Sequence, residues 1–170
     1  MGIDEPNAAN FNYVISSPGT PEVLYAGSHG DTIRVSEDKG ETWQELQINE
    51  LPNPLNMEDG LVNPLNPREA FIVLADEGIA RVFHNGTNYS YEIIEVTRHV
   101  YELEIDPDDN GTVFLATEDD GIARLVYVLG VGWEYRTGNI QPDEKMIAVC
   151  HDPNTPNQIY AGSGSGLVHR

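Results

Sequence analysis

The chain of 170 residues is poor in cysteine, in positive charge and in long apolar runs, and each shortage closes off a class of function. Cys150 is the only cysteine, so neither an intrachain disulfide nor a thiolate metal cluster can form. Its neighbours Ala148 and Val149 place it on a strand, as a small buried hydrophobe; adjacent His151 alone does not make it a nucleophile. Lys and Arg number 9 against 28 Asp and Glu, a formal net charge of -19. Such a surface repels phosphate backbones and anionic lipid, so neither nucleic acid nor a membrane is expected as a partner. No apolar run is long enough to span a bilayer. Residues 1–10 have neither the basic start nor the apolar stretch of a secretion signal and read as a flexible N-terminal segment. The five histidines show no zinc spacing, no glycine loop opens a helix, and no amphipathic helix is evident.

What is present is a repeat. Pro18, Pro64, Pro107 and Pro153 follow Ser17, Asn63, Asp106 and Asp152 at intervals of 46, 43 and 46 residues. A second marker keeps nearly the same step: Arg34, Arg81, Arg124 and Arg170 are separated by 47, 43 and 46 residues. Between the markers the pattern is that of short strands. Tyr101, Leu103 and Ile105 alternate with Glu102 and Glu104. A turn with Pro and Gly follows, then the apolar run Val113–Ala116, the turn Glu118–Gly121, the strand Ile122–Leu125, and Trp133 to Tyr135. Four strands in about 45 residues define one propeller blade. The expected fold is therefore all-β: a β-propeller of four-stranded blades at about 11–53, 54–98, 99–143 and 144–170, three complete and a truncated fourth. The Pro-rich segment 51–55 reads as the crossover between the first two blades.

Residues 36–43 read Ser-Glu-Asp-Lys-Gly-Glu-Thr-Trp. Ser36, Asp38, Gly40, Thr42 and Trp43 occupy every defined position of the pattern S-x-D-x-G-x-T-W. The physics suits a hairpin between the third and fourth strands of a blade. Asp38 can accept turn amides, Gly40 allows a positive φ, and Trp43 can pack beneath the turn. A worn copy stands in repeat three, where Gly130 and Trp133 keep their spacing but Val128 replaces the Asp and Gly132 the Thr. Repeat two keeps only Asn85, Gly86 and Tyr91.

On these motifs the chain resembles the Asp-box, or BNR-repeat, sialidase-like propellers along nearly its whole length. The resemblance implies packed four-stranded blades and a structural Asp box. It does not imply one chemistry, because the group includes glycoside hydrolases, receptors and assembly factors. It favours an extracellular or periplasmic location.

The residues select no catalytic site. The four arginines hold one place in every repeat, which suits a scaffold better than a converging anion site. Among 28 acidic residues no motif selects a glycosidase pair. Glu118, Asp119 and Asp120, with Asp76 and Glu77, read as solvated turn residues, and Gly162–Gly166 as a flexible turn. Asp106, Asp108 and Asn110 begin a calcium-loop pattern, but the closing acid is missing: position 117 is Thr. No cofactor is expected beyond that incomplete calcium candidate. The functional expectation is a non-catalytic scaffold, a fragment of a larger propeller, with a protein or carbohydrate partner and self-association through open blade edges as a further route. The alternative is part of a sialidase- or xyloglucanase-like glycoside hydrolase whose active site is incomplete in this chain.

Overall fold

The structure, a computed structural model, describes residues 11–17, 23–28, 32–48, 56–75, 77–106, 109, 111–140, 144–152, 154–155, 158–166 and 168–169. The segment 1–10, the Pro-rich crossover and Arg170 lie outside them. Fifteen strands and no helix occur among the described residues. Sheet one contains β1 (Phe11–Ser16), β2 (Leu24–Ser28), β3 (Thr32–Ser36) and β4 (Gln44–Gln47). Sheet two contains β5 (Met57–Val62), β6 (Glu69–Leu74), β7 (Gly78–His84) and β8 (Tyr89–Ile94). Sheet three contains β9 (Val100–Ile105), β10 (Thr112–Thr117), β11 (Ile122–Val128) and β12 (Gly132–Ile140). In sheet four, β13 (Met146–His151), β14 (Ile159–Ser163) and β15 (Val168–His169) are paired. Each sheet is an antiparallel meander in sequence order.

The sheets stack face to face, each pair enclosing a core. Tyr25, Ile33 and Val35 of sheet one meet Ala70, Ile72 and Leu74 of sheet two. On the opposite face of β6, Phe71 and Val73 join Leu103, Val113, Leu115 and Leu125 of sheet three. Ala116 and Ile122 then meet Met146, Val149 and Ala161 of sheet four. This explains the apolar run at 70–74 in β6: both faces of the strand are covered, so these five residues are buried, as is Glu69 before them. At about 1.5–3 kcal/mol for each large side chain removed from water, these interfaces dominate the stability. The first strands, β1, β5, β9 and β13, lie against one another in turn and form the inner wall.

The X-Pro marker has a structural cause. In sheets two, three and four the first turn repeats one set of backbone bonds. Asn66, Asp109 and Thr155 donate to the carbonyls of Asn63, Asp106 and Asp152 at 3.1, 3.2 and 3.2 Å. Glu69, Thr112 and Gln158 donate to the carbonyls of Asn66, Asp109 and Thr155 in the same way. Asn63 and Asp152 also accept turn amides on their side chains, Leu65 N at 3.0 Å and Asn154 N at 2.8 Å.

Two expectations are corrected. Cys150 is exposed: it alternates with buried Val149 and so turns away from the core shared with sheet three. The glycine-rich segment is not one turn, because Gly162 and Ser163 belong to β14 and the turn comprises 164–166.

Candidate functional site

The 36–43 hairpin joins β3 to β4. Asp38 Oδ1 accepts the Thr42 amide at 2.8 Å and the Ser36 hydroxyl at 2.8 Å, and the Thr42 hydroxyl donates to Oδ2. Ser36 Oγ in turn accepts the Gly40 amide at 2.8 Å. Gly40 has φ 89°, and its carbonyl accepts Trp43 Nε1 at 3.1 Å. The donors around Asp38, the Thr42 hydroxyl first, hold its carboxyl at about 2. The polar side chains at the defined positions, Ser36, Asp38, Thr42 and Trp43, thus bond within the turn itself.

One residue of the motif that the pattern leaves undefined reaches the next sheet. Glu37 Oε1 accepts the Tyr89 hydroxyl at 2.8 Å, and its carboxylate pairs with Arg68 at 2.8 Å. Tyr25, whose hydroxyl donates to Pro67 O at 3.0 Å, meets Tyr89 edge to face. Burial above all, then the Glu37 carboxylate, raises the Tyr89 hydroxyl well above its ordinary range. Glu37, Tyr25, Arg68 and Tyr89 form a clamp between sheets one and two. Only an undefined position of the motif contributes to it, so the pattern could not reveal it.

In sheet three the worn copy gives a different hairpin. Val128 and Gly132 offer no side-chain acceptor or donor, so the β11–β12 ladder runs out to Val128 and Gly132. Gly130 and Gly132 take φ 83° and 115°. Trp133 packs edge to face on Phe71 at 4.9 Å, and its Nε1 is buried without an acceptor. The corresponding turn of sheet two is closed by Asn85, which accepts the Thr87 and Asn88 amides at 3.0 Å.

The arginines divide. Arg34 pairs with Glu45. Arg81 binds Glu69 at 2.6 Å and Glu92 at 2.9 Å and lies over the Phe83 ring. These two are structural, but Arg124 is exposed and stands opposite Arg136, so the shared role does not extend to it. Arg170 lies outside the described residues. Asp120 is likewise more than a solvated acid: it accepts the Tyr135 hydroxyl at 2.7 Å and faces Arg98 at 3.4 Å. Of the calcium candidate, Asp108 and Asn110 lie outside the described residues. Beside Asp106, Asp109 accepts the Gly111 amide at 2.9 Å and the Thr112 hydroxyl at 3.0 Å. Among the described residues no group of three or more His, Cys, Asp or Glu could hold a metal ion.

The inner wall carries a device that the sequence did not announce. Asp59 of β5 accepts the Leu103 amide of β9 at 3.1 Å, and Glu102 of β9 accepts the Val149 amide of β13 at 2.8 Å. Glu104 accepts the His151 amide at 3.3 Å. Each carboxylate caps an edge amide of the following inner strand, where no further ladder partner exists. Tyr13 takes the place of Asp59 in β1 and brings its hydroxyl against Gly60, which has no side chain to obstruct it. Burial raises both the Asp59 and the Glu104 carboxyl above the usual range.

Two clefts open between sheets. One of about 320 Å³ lies along the inner strands and is lined by Ile15, Leu61, Val62, Glu104 and Ile105 among others. The other, of about 270 Å³, lies between β8 and β12, with Glu92, Ile93, Ile94 and Glu95 facing Val131, Trp133 and Tyr135.

Radially stacked four-stranded meanders with their first strands innermost make this fold a β-propeller. The sequence matches no protein-family profile. Among solved structures the chain is similar to the β-propeller domain of Cps50 (Swd1) from Myceliophteria thermophila, with a TM-score of 0.64 at 8% identity over 90% of this chain and 49% of that one. It is similar to the same degree, TM-score 0.64 and 8% identity, to a chain of the COPII outer coat vertex on membranes, over 92% of this chain and 42% of that one. A chain of the COPII coat assembled on membranes matches with TM-score 0.64 over 92% of this chain and 23% of its own length. The chain thus spans about half or less of each of these structures, and the likeness concerns the fold.

Proposed function

We propose that the chain is a non-catalytic propeller module of the Asp-box kind, serving as a binding scaffold for proteins. The observation that carries this reading is the way its charged groups are spent. Asp38 holds a turn, Glu37 and Arg68 join two blades, Arg81 is held by Glu69 and Glu92, and the inner-wall carboxylates cap neighbouring amides. A glycosidase pair would need two carboxylates turned toward one sugar bond. Here Asp59, Glu102 and Glu104 turn an oxygen toward the adjoining strand instead. The coat assemblies named for two similar structures lend support to a protein partner over a carbohydrate one.

The test is a panel of fluorogenic glycosides, sialosides and xyloglucan oligosaccharides, run with a glycan array. No turnover and no glycan binding are expected. Sustained hydrolysis lost in Glu102→Gln or Glu104→Gln would replace the scaffold reading with a glycoside hydrolase.

A further inference from the structure

We propose that the tip of the β11–β12 hairpin, with the cleft beneath it, is a docking surface for a protein segment that sets an apolar side chain next to Lys or Arg. This rests on the scaffold reading and adds a place and a partner chemistry. Leu129 is 90% exposed, Val131 69% and Tyr127 47%, all on one hairpin. Single exposed hydrophobes are ordinary, but three grouped at a turn form a patch of the kind that marks contact sites. In sheet one the equivalent turn is Asp38–Thr42, polar and closed on itself. In sheet three the loss of those groups lets the hairpin project with an apolar tip.

The cleft below determines what fits. One wall has Val131, Trp133 and Tyr135; the other carries Glu92 and Glu95 beside Ile93 and Ile94, and the nearby Arg81 guanidinium lies 5.8 Å from the Trp133 ring. Glu92 is shared with Arg81, while the Glu95 side chain is exposed. An apolar anchor would cover the tip, and an adjoining cation would meet the carboxylates. Charge also disfavours the rivals: anionic lipid, nucleic acid and a second copy of this chain all carry the sign that the net charge of -19 repels.

The experiment is selection of a displayed random dodecapeptide library against the full chain, followed by titration of one synthetic enriched peptide. Enriched sequences are expected to pair an apolar residue with Lys or Arg. The Leu129→Ser/Val131→Ser double variant should weaken binding about tenfold or more, and Glu95→Gln should weaken it less and flatten its salt dependence. Leu65→Ser, which removes an exposed apolar residue from another turn, should leave binding unchanged. Leu129 and Val131 face solvent, so the double variant should fold, which its far-ultraviolet spectrum checks. The proposal is overturned if no peptide is enriched, or if enriched peptides lack a cation. It is also overturned if the peptide binds the double variant as well as the parent; binding at another surface would leave the scaffold reading standing. A concentration-dependent dimer, or binding to uncharged phosphatidylcholine vesicles, abolished by the double substitution would assign the tip to self-association or to lipid instead.

Discussion

The backbone N–H of Leu103 donates to Oδ2 of Asp59 at 3.1 Å, joining the inner strands of two neighbouring blades. Glu102 repeats the contact one blade further on, with Val149 as donor. The acidic residues that stand out in composition therefore include some that close the inner edges of the third and fourth sheets. A strand edge leaves amides that must find an acceptor, and an acid from the inner strand of the preceding sheet reaches them.

Removing that acceptor should cost stability. Asp59→Ala leaves the Leu103 amide half-buried without its partner and should lower the unfolding free energy by about 1–3 kcal/mol in a urea titration. Asp59→Asn keeps an oxygen in place and should cost less. Equal effects of the two substitutions would show that the contact contributes nothing as a hydrogen bond.

Acid should first stabilise and then destabilise the fold. Burial raises Asp59 and Glu104, so the folded state holds their protons more tightly and stability falls as pH rises through the window above their unfolded values. Asp38, held at about 2 by Thr42 and Ser36, works in the opposite direction, and so does Asp152, lowered first by the Asn154 amide. Their stabilisation is lost as pH falls through about 4 toward those depressed values. Relief of the net charge of -19 acts in the same direction as Asp59 and Glu104. The urea midpoint should therefore be higher near pH 5 than at pH 7.5, as a rough placement from ordinary carboxyl values, and should fall below pH 4. Asp59→Asn should flatten the upper limb.

Glu37 should couple two blades. In a double-mutant cycle with Glu37→Gln and Tyr89→Phe, the interaction energy should be about 0.5–1 kcal/mol, at the low end because the carboxylate is half exposed. Asp38→Ala acts within one turn and should lower the urea midpoint without coupling to Tyr89. Strictly additive Glu37 and Tyr89 effects would dissolve the clamp.

Cys150 should react in the folded protein. Its exposure predicts that a disulfide reagent such as DTNB labels one thiol per chain at native conditions, at a rate that sub-denaturing urea scarcely changes. Protection until global unfolding would place the side chain in a core.

The sequence by itself determined the blade. Local physics writes the first turn, with Asn63 or Asp152 capping amides ahead of a proline, and it writes the 36–43 hairpin, whose Ser36, Asp38, Thr42 and Trp43 side chains bond within eight residues. Repetition of such local units made the propeller legible without any structure. What the tertiary structure alone decided lies between blades. Asp59 and Leu103 are 44 residues apart, Glu102 and Val149 are 47 apart, and Glu37 and Tyr89 are 52 apart. Such contacts depend on how whole sheets stack, which no local pattern encodes. Arg81 and Arg124 hold one place in the repeat but differ within their own sheets, Arg81 pairing with Glu69 and Glu92 of sheet two and exposed Arg124 standing opposite Arg136 of sheet three. The stacking sets Trp133 of sheet three beside Arg81. It also turns Cys150 outward while its neighbour Val149 enters the core, because on a strand a single residue step changes the face.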